Sequence, residues 1–262
     1  MTKRAFHRRV LIALAVGSTL ALAMAGGSAL AQDKAEGKAP VISAEAQNAV
    51  SAMSKTLSRD GFSFQDRTIR EYNGANGQPL HIFHTANVVV RRPDRFAVAV
   101  TGDDGTTKIA YNGKNLILYS QTTNRYASLA VSGTIEEVLR EASIRLGMDF
   151  PLADLLADAP DKAFLYEVTS GYVVDTVPVD DVSCLHLFFM QPPGIELELW
   201  TEKNDRALPR RLIATYRSLP GEPRFIVEIS NWKTGLHPSD SDFEFSVPQG
   251  ATKMELGQEA PK

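Results

Sequence analysis

Apolar and polar side chains alternate along the chain between residues 88 and 120, as they do in strands that bury one face of a sheet. Arg92-Pro93 and Asn112-Gly113 divide this stretch into separate strands. Asn-Gly favours a two-residue type I′ turn, because both central residues of that turn need a positive φ. The stretch therefore predicts a curved antiparallel sheet with one apolar face, which needs either a partner or a ligand.

The same alternation recurs on both sides of this stretch, and it predicts a mainly β fold with some helices, of the α+β class. Antiparallel neighbours are expected throughout, each strand with one apolar and one polar face. The predicted strands are residues 62–72, 80–91, 95–101, 108–111, 116–120, 165–175, 182–191, 195–202, 211–217, 224–232 and 243–247.

Helical periodicity precedes the first strand. From Ala46 to Leu57, apolar residues recur at i, i+3, i+4 and i+7, which predicts an amphipathic helix that starts at Ser43 and ends by Gly61. An apolar helix face of this kind must be buried, so we expect it to lie on the sheet.

A second helical region lies in mid-chain, between the two groups of strands. Thr134 and Glu137 form a Thr-x-x-Glu capping box that opens a helix, and Gly147 ends it. Pro151 starts a short further helix, which residues 158–160 break. Residues 134–157 therefore have the position of a helical cover over the sheet.

The first 31 residues are typical of a secretory signal peptide. Four Lys and Arg residues precede an apolar run over residues 10–25, and a small-x-small site predicts cleavage after Ala31. The run is shorter than the ~20 residues that span a bilayer. Arg8 and Arg9 leave open whether export follows the general secretory or the twin-arginine route. The sequence thus predicts a periplasmic protein.

Removal of the leader leaves 231 residues and changes the net charge from −3 to −7. Such an acidic chain is not suited to nucleic-acid binding. Residues 32–42 are polar and predict a flexible lead-in, and residues 257–262 predict a flexible tail. Residues 43–256 contain neither a repeat nor a linker, which indicates one domain.

The reactive side chains form no pattern typical of an enzyme or a metal site. The sequence has no Gly-x-Ser-x-Gly elbow, and His81 and His84 face opposite sides of a predicted strand, so they cannot chelate one metal as a pair. Cys184 has an apolar context that indicates burial. Trp200 and Trp232 are predicted on the face opposite the apolar stripes, where they either mark a partner surface or pack under a loop or helix. We therefore predict no catalytic residue, metal or cofactor.

Several motifs resemble known proteins. Residues 90–96 (VRRPDRF), 111–120 (YNGKNLILYS) and 243–251 (FEFSVPQGA) resemble the LolA/LolB superfamily of outer-membrane lipoprotein carriers. Residues 199–200 with 208–211 (LPRR), and residues 144–155, are most similar to a family of predicted periplasmic proteins of unknown function within that superfamily. The resemblance implies a single curved antiparallel sheet of about eleven strands that forms an incomplete barrel. Helices would cover its concave face and leave an apolar cavity between.

This cavity predicts a monomeric binding or carrier protein for a lipid, a lipoprotein acyl chain or another apolar ligand. The resemblance also implies that an arginine of the Arg-Pro motif holds the helical lid shut, and Arg92 is the matching position. The alternative is a non-enzymatic interaction or sensor module that acts on envelope proteins, with the cavity filled by its own side chains. The predicted ligand-binding residues are Phe64, Val88, Val90, Phe96, Val98, Val100, Leu116, Leu118, Leu139, Leu187, Leu197 and Val227.

Overall fold

The computed structural model describes residues 41–148 and 150–254. The predicted signal peptide with its cleavage site, residues 32–40 of the predicted lead-in and the predicted tail at 257–262 lie outside these residues. Ile42, the last residue of the predicted lead-in, forms an isolated parallel bridge with Gly171. The described chain therefore starts beside a strand of its second half.

In the described part of the chain, twelve strands form one long sheet that does not close on itself, in the order β12-β6-β5-β4-β3-β2-β1-β11-β10-β9-β8-β7. Neighbouring strands are antiparallel, except that β12 runs parallel to β6. The strands are β1 (Gly61–Asn73), β2 (Pro79–Arg91), β3 (Arg95–Gly102), β4 (Gly105–Tyr111), β5 (Asn115–Ser120), β6 (Arg125–Ala130), β7 (Ser170–Val179), β8 (Val182–Gln191), β9 (Ile195–Glu202), β10 (Pro209–Tyr216), β11 (Arg224–Thr234) and β12 (Thr252–Lys253).

The mainly β, antiparallel and open character agrees with the sequence prediction, but the strands differ in detail. Residues 243–247 are not a strand: Phe243 ends a 3-10 helix, Asp240–Phe243, and the residues after it lie outside the sheet. The ring of Phe245 lies 5.5 Å from that of Tyr119. Its packing accounts for an alternation that resembles a strand. β6 and the short β12 were not predicted.

Among the residues that the structure describes, four α-helices accompany the sheet: α1 (Ala44–Leu57), α2 (Ile135–Leu146), α3 (Ala153–Leu156) and α4 (Pro160–Phe164). The sequence predicted the first three but not α4. The short helix predicted after Pro151 is α3, which ends at Leu156, before the predicted break at residues 158–160. Pro160 then opens α4, where its lack of an N–H costs no hydrogen bond because the first turn of a helix leaves its amides without intrahelical partners. The strand predicted from residue 165 consequently starts only at Ser170.

The hydrophobic core lies between these helices and one face of the sheet, which we call the helix-facing side; the opposite face is the outer face. Phe62 and Phe64 of β1 and Val50 and Met53 of α1 are almost completely buried in it. All four helices contribute side chains to this one core. The contact between α1 and α4 also contains a hydrogen bond from Ser54 Oγ to Asp161 Oδ1, at 2.8 Å.

One tryptophan lies on the face opposite to the predicted one. Trp232 is on the helix-facing side, with its ring 4.6 Å from that of Phe64 and its Nε1 donating to the carbonyl of Pro209 at 2.8 Å. A positive φ of 54° at Asn231 accompanies a register shift between β1 and β11. This irregularity adds one residue to β11 and shifts its alternation by one position. Ile229 and Trp232 therefore lie on the same side of the sheet, although regular alternation would put them on opposite sides. Trp200 lies on the outer face, as predicted, stacked on His186.

The predicted capping box opens α2. Thr134 Oγ1 accepts from the amide of Glu137 at 3.4 Å, and Glu137 Oε2 accepts from the amide of Thr134 at 2.9 Å. Gly147 follows the helix in the left-handed conformation, with a φ of 63°. The boundaries of the helix that starts the predicted cover are thus set by local sequence.

Thr134→Ala is expected to lower the free energy of unfolding by about 1 kcal/mol, since the amide of Glu137 loses its acceptor. Urea denaturation followed by circular dichroism measures this. Ser132→Ala, an exposed neighbour outside the capping box, is the control and should change stability by much less. Equal stability of the wild type and Thr134→Ala would contradict this role of the cap.

Candidate functional site

The structure places all twelve predicted ligand-binding residues in or against the hydrophobic core on the helix-facing side. Leu139 comes from α2 and the other eleven come from strands. Eight are buried: Phe64, Val88, Val90, Phe96, Leu116, Leu139, Leu187 and Val227. Four are half-buried: Val98, Val100, Leu118 and Leu197.

Strand register arranges part of this set as a continuous apolar surface across β1–β5. One cross-strand row consists of Phe64, Val88, Val98, Ile109 and Leu118. The adjacent row, nearer the β2–β3 hairpin, consists of Phe62, Val90, Phe96, Tyr111 and Leu116. Together these ten residues form what we call the apolar wall.

Side chains of the protein's own helices share the core with the apolar wall. Leu57 of α1 and Ile135 of α2 are fully buried there, and Leu155 of α3 is nearly so. A cavity of about 310 Å³ lies between α2, α3 and α4 and includes Leu139 in its lining. A second cavity, of about 320 Å³, lies at the β1–β3 and β11 part of the sheet, with Phe83 in its lining. A ligand on the wall would therefore have to displace helices.

Arg92 connects two of these helices. Its Nε donates to the carbonyl of Leu57, the last residue of α1, at 2.7 Å. Its Nη1 and Nη2 donate to the carbonyls of Leu156 and Leu155, at the end of α3, at 3.1 and 3.4 Å. The guanidinium also lies 6.0 Å from the centre of the Phe62 ring. One side chain thus supplies donors to the carboxyl ends of both helices.

The surroundings of Arg92 change the pKa of its guanidinium but not its charge. Burial lowers the pKa of Arg92, while the negative charges of Asp158 and Glu136 act in the opposite direction. The amide of Asp158 donates to Glu136 Oε2 at 3.0 Å, which links the segment after α3 to the first turn of α2. A half-buried guanidinium with carbonyl partners and nearby carboxylates remains protonated.

The segment that carries α2 is also attached to the sheet at its start. The amide of Ile135 donates to the carbonyl of Pro93 at 2.9 Å. Tyr111, which is fully buried on β4, donates its hydroxyl hydrogen to the carbonyl of Gly133 at 2.8 Å. Residues 133–135 are therefore fixed to the sheet, and Arg92 binds the other end of the segment at α3.

One residue of this side was not selected from the sequence. Asp66 of β1 is only 6% exposed and lies in register with Ala86 of β2 and Ile229 of β11. Burial raises the pKa of Asp66 from 3.8 to about 6, while a hydrogen bond with the backbone of Ala86 and the charge of His84 act to lower it. The alternation Phe62, Phe64, Asp66 already placed a carboxylate on the apolar face, and this was the available signal.

The outer face carries a separate polar cluster around Trp200. The His186 ring stacks on Trp200 with centroids 4.0 Å apart, and His186 Nε2 lies 2.9 Å from Glu198 Oε2. The guanidinium of Arg211 lies 5.4 Å from the centre of the Trp200 ring. Cys184 packs with Trp200 in a small second core, and burial raises the pKa of its thiol. These contacts give Trp200 and Cys184 packing partners within the chain.

Within residues 41–148 and 150–254, no three His, Cys, Asp or Glu side chains are grouped closely enough to hold a metal ion. Across the same described residues, no helix combines the length and the apolar character that a membrane crossing requires.

Comparison with known proteins gives one family and several solved structures with partial similarity. A family described as "Predicted periplasmic protein (DUF2092)" matches residues 46–257. An uncharacterized conserved protein from Thermus thermophilus is 13% identical with a TM-score of 0.49, over 80% of this chain and 98% of that chain. No curated protein matches the sequence.

Two further solved structures are similar to this chain. The lipoprotein LppX from Mycobacterium tuberculosis is 15% identical with a TM-score of 0.47, over 74% of this chain and 99% of that chain. A LolA superfamily protein from Nitrosomonas europaea is 13% identical with a TM-score of 0.36, over 76% of this chain and 97% of that chain.

Asp66→Asn is expected to raise the free energy of unfolding at pH 8 by up to about 3 kcal/mol. Because the folded-state pKa of Asp66 lies above its unfolded value, ionisation destabilises the fold. Below about pH 4, Asp66 is protonated in both the folded and the unfolded chain, and its ionisation does not reduce the free energy of unfolding. As the pH rises through about 6, the free energy of unfolding falls. The substitution should remove this pH dependence.

Urea denaturation between pH 4.5 and 8 checks the effect of Asp66→Asn, with Asp205→Asn as the exposed control. Parallel pH profiles for the wild type and Asp66→Asn would contradict the assignment of a raised pKa to Asp66.

Proposed function

The chain belongs to the DUF2092 family of predicted periplasmic proteins, and we propose that it is a periplasmic binding or carrier protein for an apolar ligand. This membership confirms what the sequence motifs indicated, namely a resemblance to a family of predicted periplasmic proteins. In the proposal, a signal peptide cleaved after Ala31 delivers the chain to the periplasm. A lipid or acyl chain then lies on the apolar wall, under residues 134–157, which act as a lid.

The observation that carries the proposal is the position of Arg92. Its guanidinium binds the carbonyl-bearing ends of α1 and α3, directly beside the apolar wall. These carbonyls belong to last turns, where no intrahelical amide is available as a partner. Arg92 therefore stabilises the helices in the covering position through hydrogen bonds to their carbonyl groups.

These hydrogen bonds can break reversibly, because water can replace the guanidinium as donor to the carbonyl groups when the lid opens. A hydrogen bond within a protein contributes only about 0.5–1.5 kcal/mol net, so the two that Arg92 donates to Leu155 and Leu156 stabilise the closed lid but still allow it to open. The attachment of residues 133–135 to β4 and to Pro93 then serves as the fixed end. Opening would separate α3 from Arg92 and expose the apolar wall.

The free energy gained when an acyl chain leaves water can offset the cost of opening the lid. An acyl chain of about sixteen carbons gains on the order of 12 kcal/mol on leaving water, at ~0.8 kcal/mol per methylene. Association, ordering of the ligand and displacement of the helices consume much of this gain. Affinities between micromolar and nanomolar are consistent with this balance.

A second candidate function has support from one observation. The apolar wall is covered by the protein's own helical side chains, including the buried Leu57 and Leu155. A core filled in this way is also suited to a non-enzymatic module that senses or scaffolds envelope proteins through its surface. The two candidates differ in whether the helices ever leave the wall.

Arg92→Leu is expected to speed the dissociation of a bound fluorescent fatty acid about tenfold, since a loss of about 1.4 kcal/mol corresponds to a factor of ten. Stopped-flow fluorescence with cis-parinaric acid measures the rate. Arg91→Leu is the matched control, because Arg91 donates to the carbonyl of Pro238 and pairs with Asp240, and so does not hold α1 or α3. This control should release the probe at the wild-type rate.

Equal release rates in all three proteins would contradict the lid role of Arg92. Failure of the wild type to bind any acyl probe would contradict the carrier proposal itself. Recovery of a stoichiometric protein partner from envelope extract, together with such a failure, would favour the interaction module.

A further inference from the structure

The helix-facing side of β1–β5 changes from apolar to polar along the strands. The apolar wall occupies the two rows nearest the β2–β3 hairpin. The next row reads Asp66, Ala86, Val100, Thr107 and Ser120 across the same five strands. The row after it contains Thr68, His84, Gly102 and Gly105. The surface offered to a ligand is therefore amphipathic, and Asp66 lies at the boundary.

Asp66 is poorly compensated at this boundary. Within the described part of the chain, no lysine or arginine forms an ion pair with it; the backbone of Ala86 and the charge of His84 favour its ionised form. The His84 ring already has an acidic partner, since its Nε2 lies 2.8 Å from Asp104 Oδ1. A buried carboxylate is normally paired or neutralised, because desolvation of an unpaired charge is costly.

We infer that the ligand of the proposed site is an amphiphile whose polar end donates hydrogen bonds, and that the carboxylate of Asp66 accepts from it. This inference rests on the proposed function. The hydrocarbon part would lie along the apolar wall, and the polar end would lie at the row of Asp66. An ammonium group satisfies this carboxylate best, because it brings both donors and the opposite charge.

The chemistry of the polar end follows from the same contacts. A carboxylate or phosphate at the end of the chain would face the negative charge of Asp66 in a site of low polarity, where repulsion is strong. A hydroxyl can donate one hydrogen bond but cannot neutralise the charge. At pH 5, where Asp66 is protonated, the advantage of the cation should largely disappear, since the raised pKa of this group is about 6.

The test compares three ligands of equal chain length: dodecylamine, dodecanol and dodecanoate. Each displaces the neutral fluorescent probe N-phenyl-1-naphthylamine from the full mature chain at pH 8, below the micellar range. Dodecylamine is expected to displace the probe at a concentration at least tenfold below that of dodecanoate, with dodecanol between them. The tenfold preference should shrink to threefold or less in Asp66→Asn. In the wild type at pH 5, the preference of dodecylamine over dodecanol should be lost; dodecanol is the reference there because, unlike dodecanoate, it does not titrate between pH 5 and 8.

Asp205→Asn, an exposed aspartate, should keep the wild-type preference and so excludes a general effect of net charge. Equal displacement by dodecylamine and dodecanoate at pH 8 would overturn the inference. An amine preference that persists in both Asp66→Asn and the wild type at pH 5 would also overturn it. If the probe does not bind the wild type or the variants, the proposed function itself fails. That outcome differs from equal displacement by all three ligands, which would overturn only the role of Asp66.

Discussion

Carbonyl groups at the ends of helices set the main constraint on this structure. The last turn of an α-helix leaves carbonyls without amide partners, and here two such turns, those of α1 and α3, lie against an apolar sheet. Arg92 satisfies both from one guanidinium, with three donors directed at Leu57, Leu155 and Leu156. No apolar side chain can replace it, because burying a carbonyl group without a hydrogen-bond donor destabilises the fold.

The position of Arg92 follows from the sheet. Its neighbour Pro93 accepts from the amide of Ile135, so the β2–β3 hairpin that orients the guanidinium also fixes the start of α2. The same hairpin therefore binds both ends of the covering segment: Pro93 binds its start at Ile135, and Arg92 binds its end at Leu155 and Leu156. Hydrophobic burial supplies most of the favourable free energy, and the hairpin determines the arrangement.

Much of this fold could be predicted from the sequence, because period-two alternation and the Thr134 capping box report local structure directly. The failures have a common cause: alternation records which side chains are buried, not whether the backbone joins a ladder. Phe245 is packed against Tyr119 without a strand, and the positive φ of Asn231 moves Trp232 to the helix-facing side. Neither irregularity has a signal that alternation alone can reveal.

The candidate site was predictable to a similar extent. Its apolar residues follow from alternation, and the family resemblance supplied the role expected of Arg92. The burial of Asp66 is not evident from the sequence, because an acidic residue at an apolar position of the alternation is equally compatible with a strand whose face becomes exposed at that point. The register with Ala86 and Ile229, which depends on strands distant in sequence, was needed to show that the carboxylate is enclosed.

Native mass spectrometry of the protein isolated from cells that export it tests the central claim most directly, because it weighs the chain together with whatever it holds. The account predicts an added mass that is released by organic solvent and identified as a lipid or an acyl compound. A bare chain, or a chain whose added mass is entirely another protein, would contradict it.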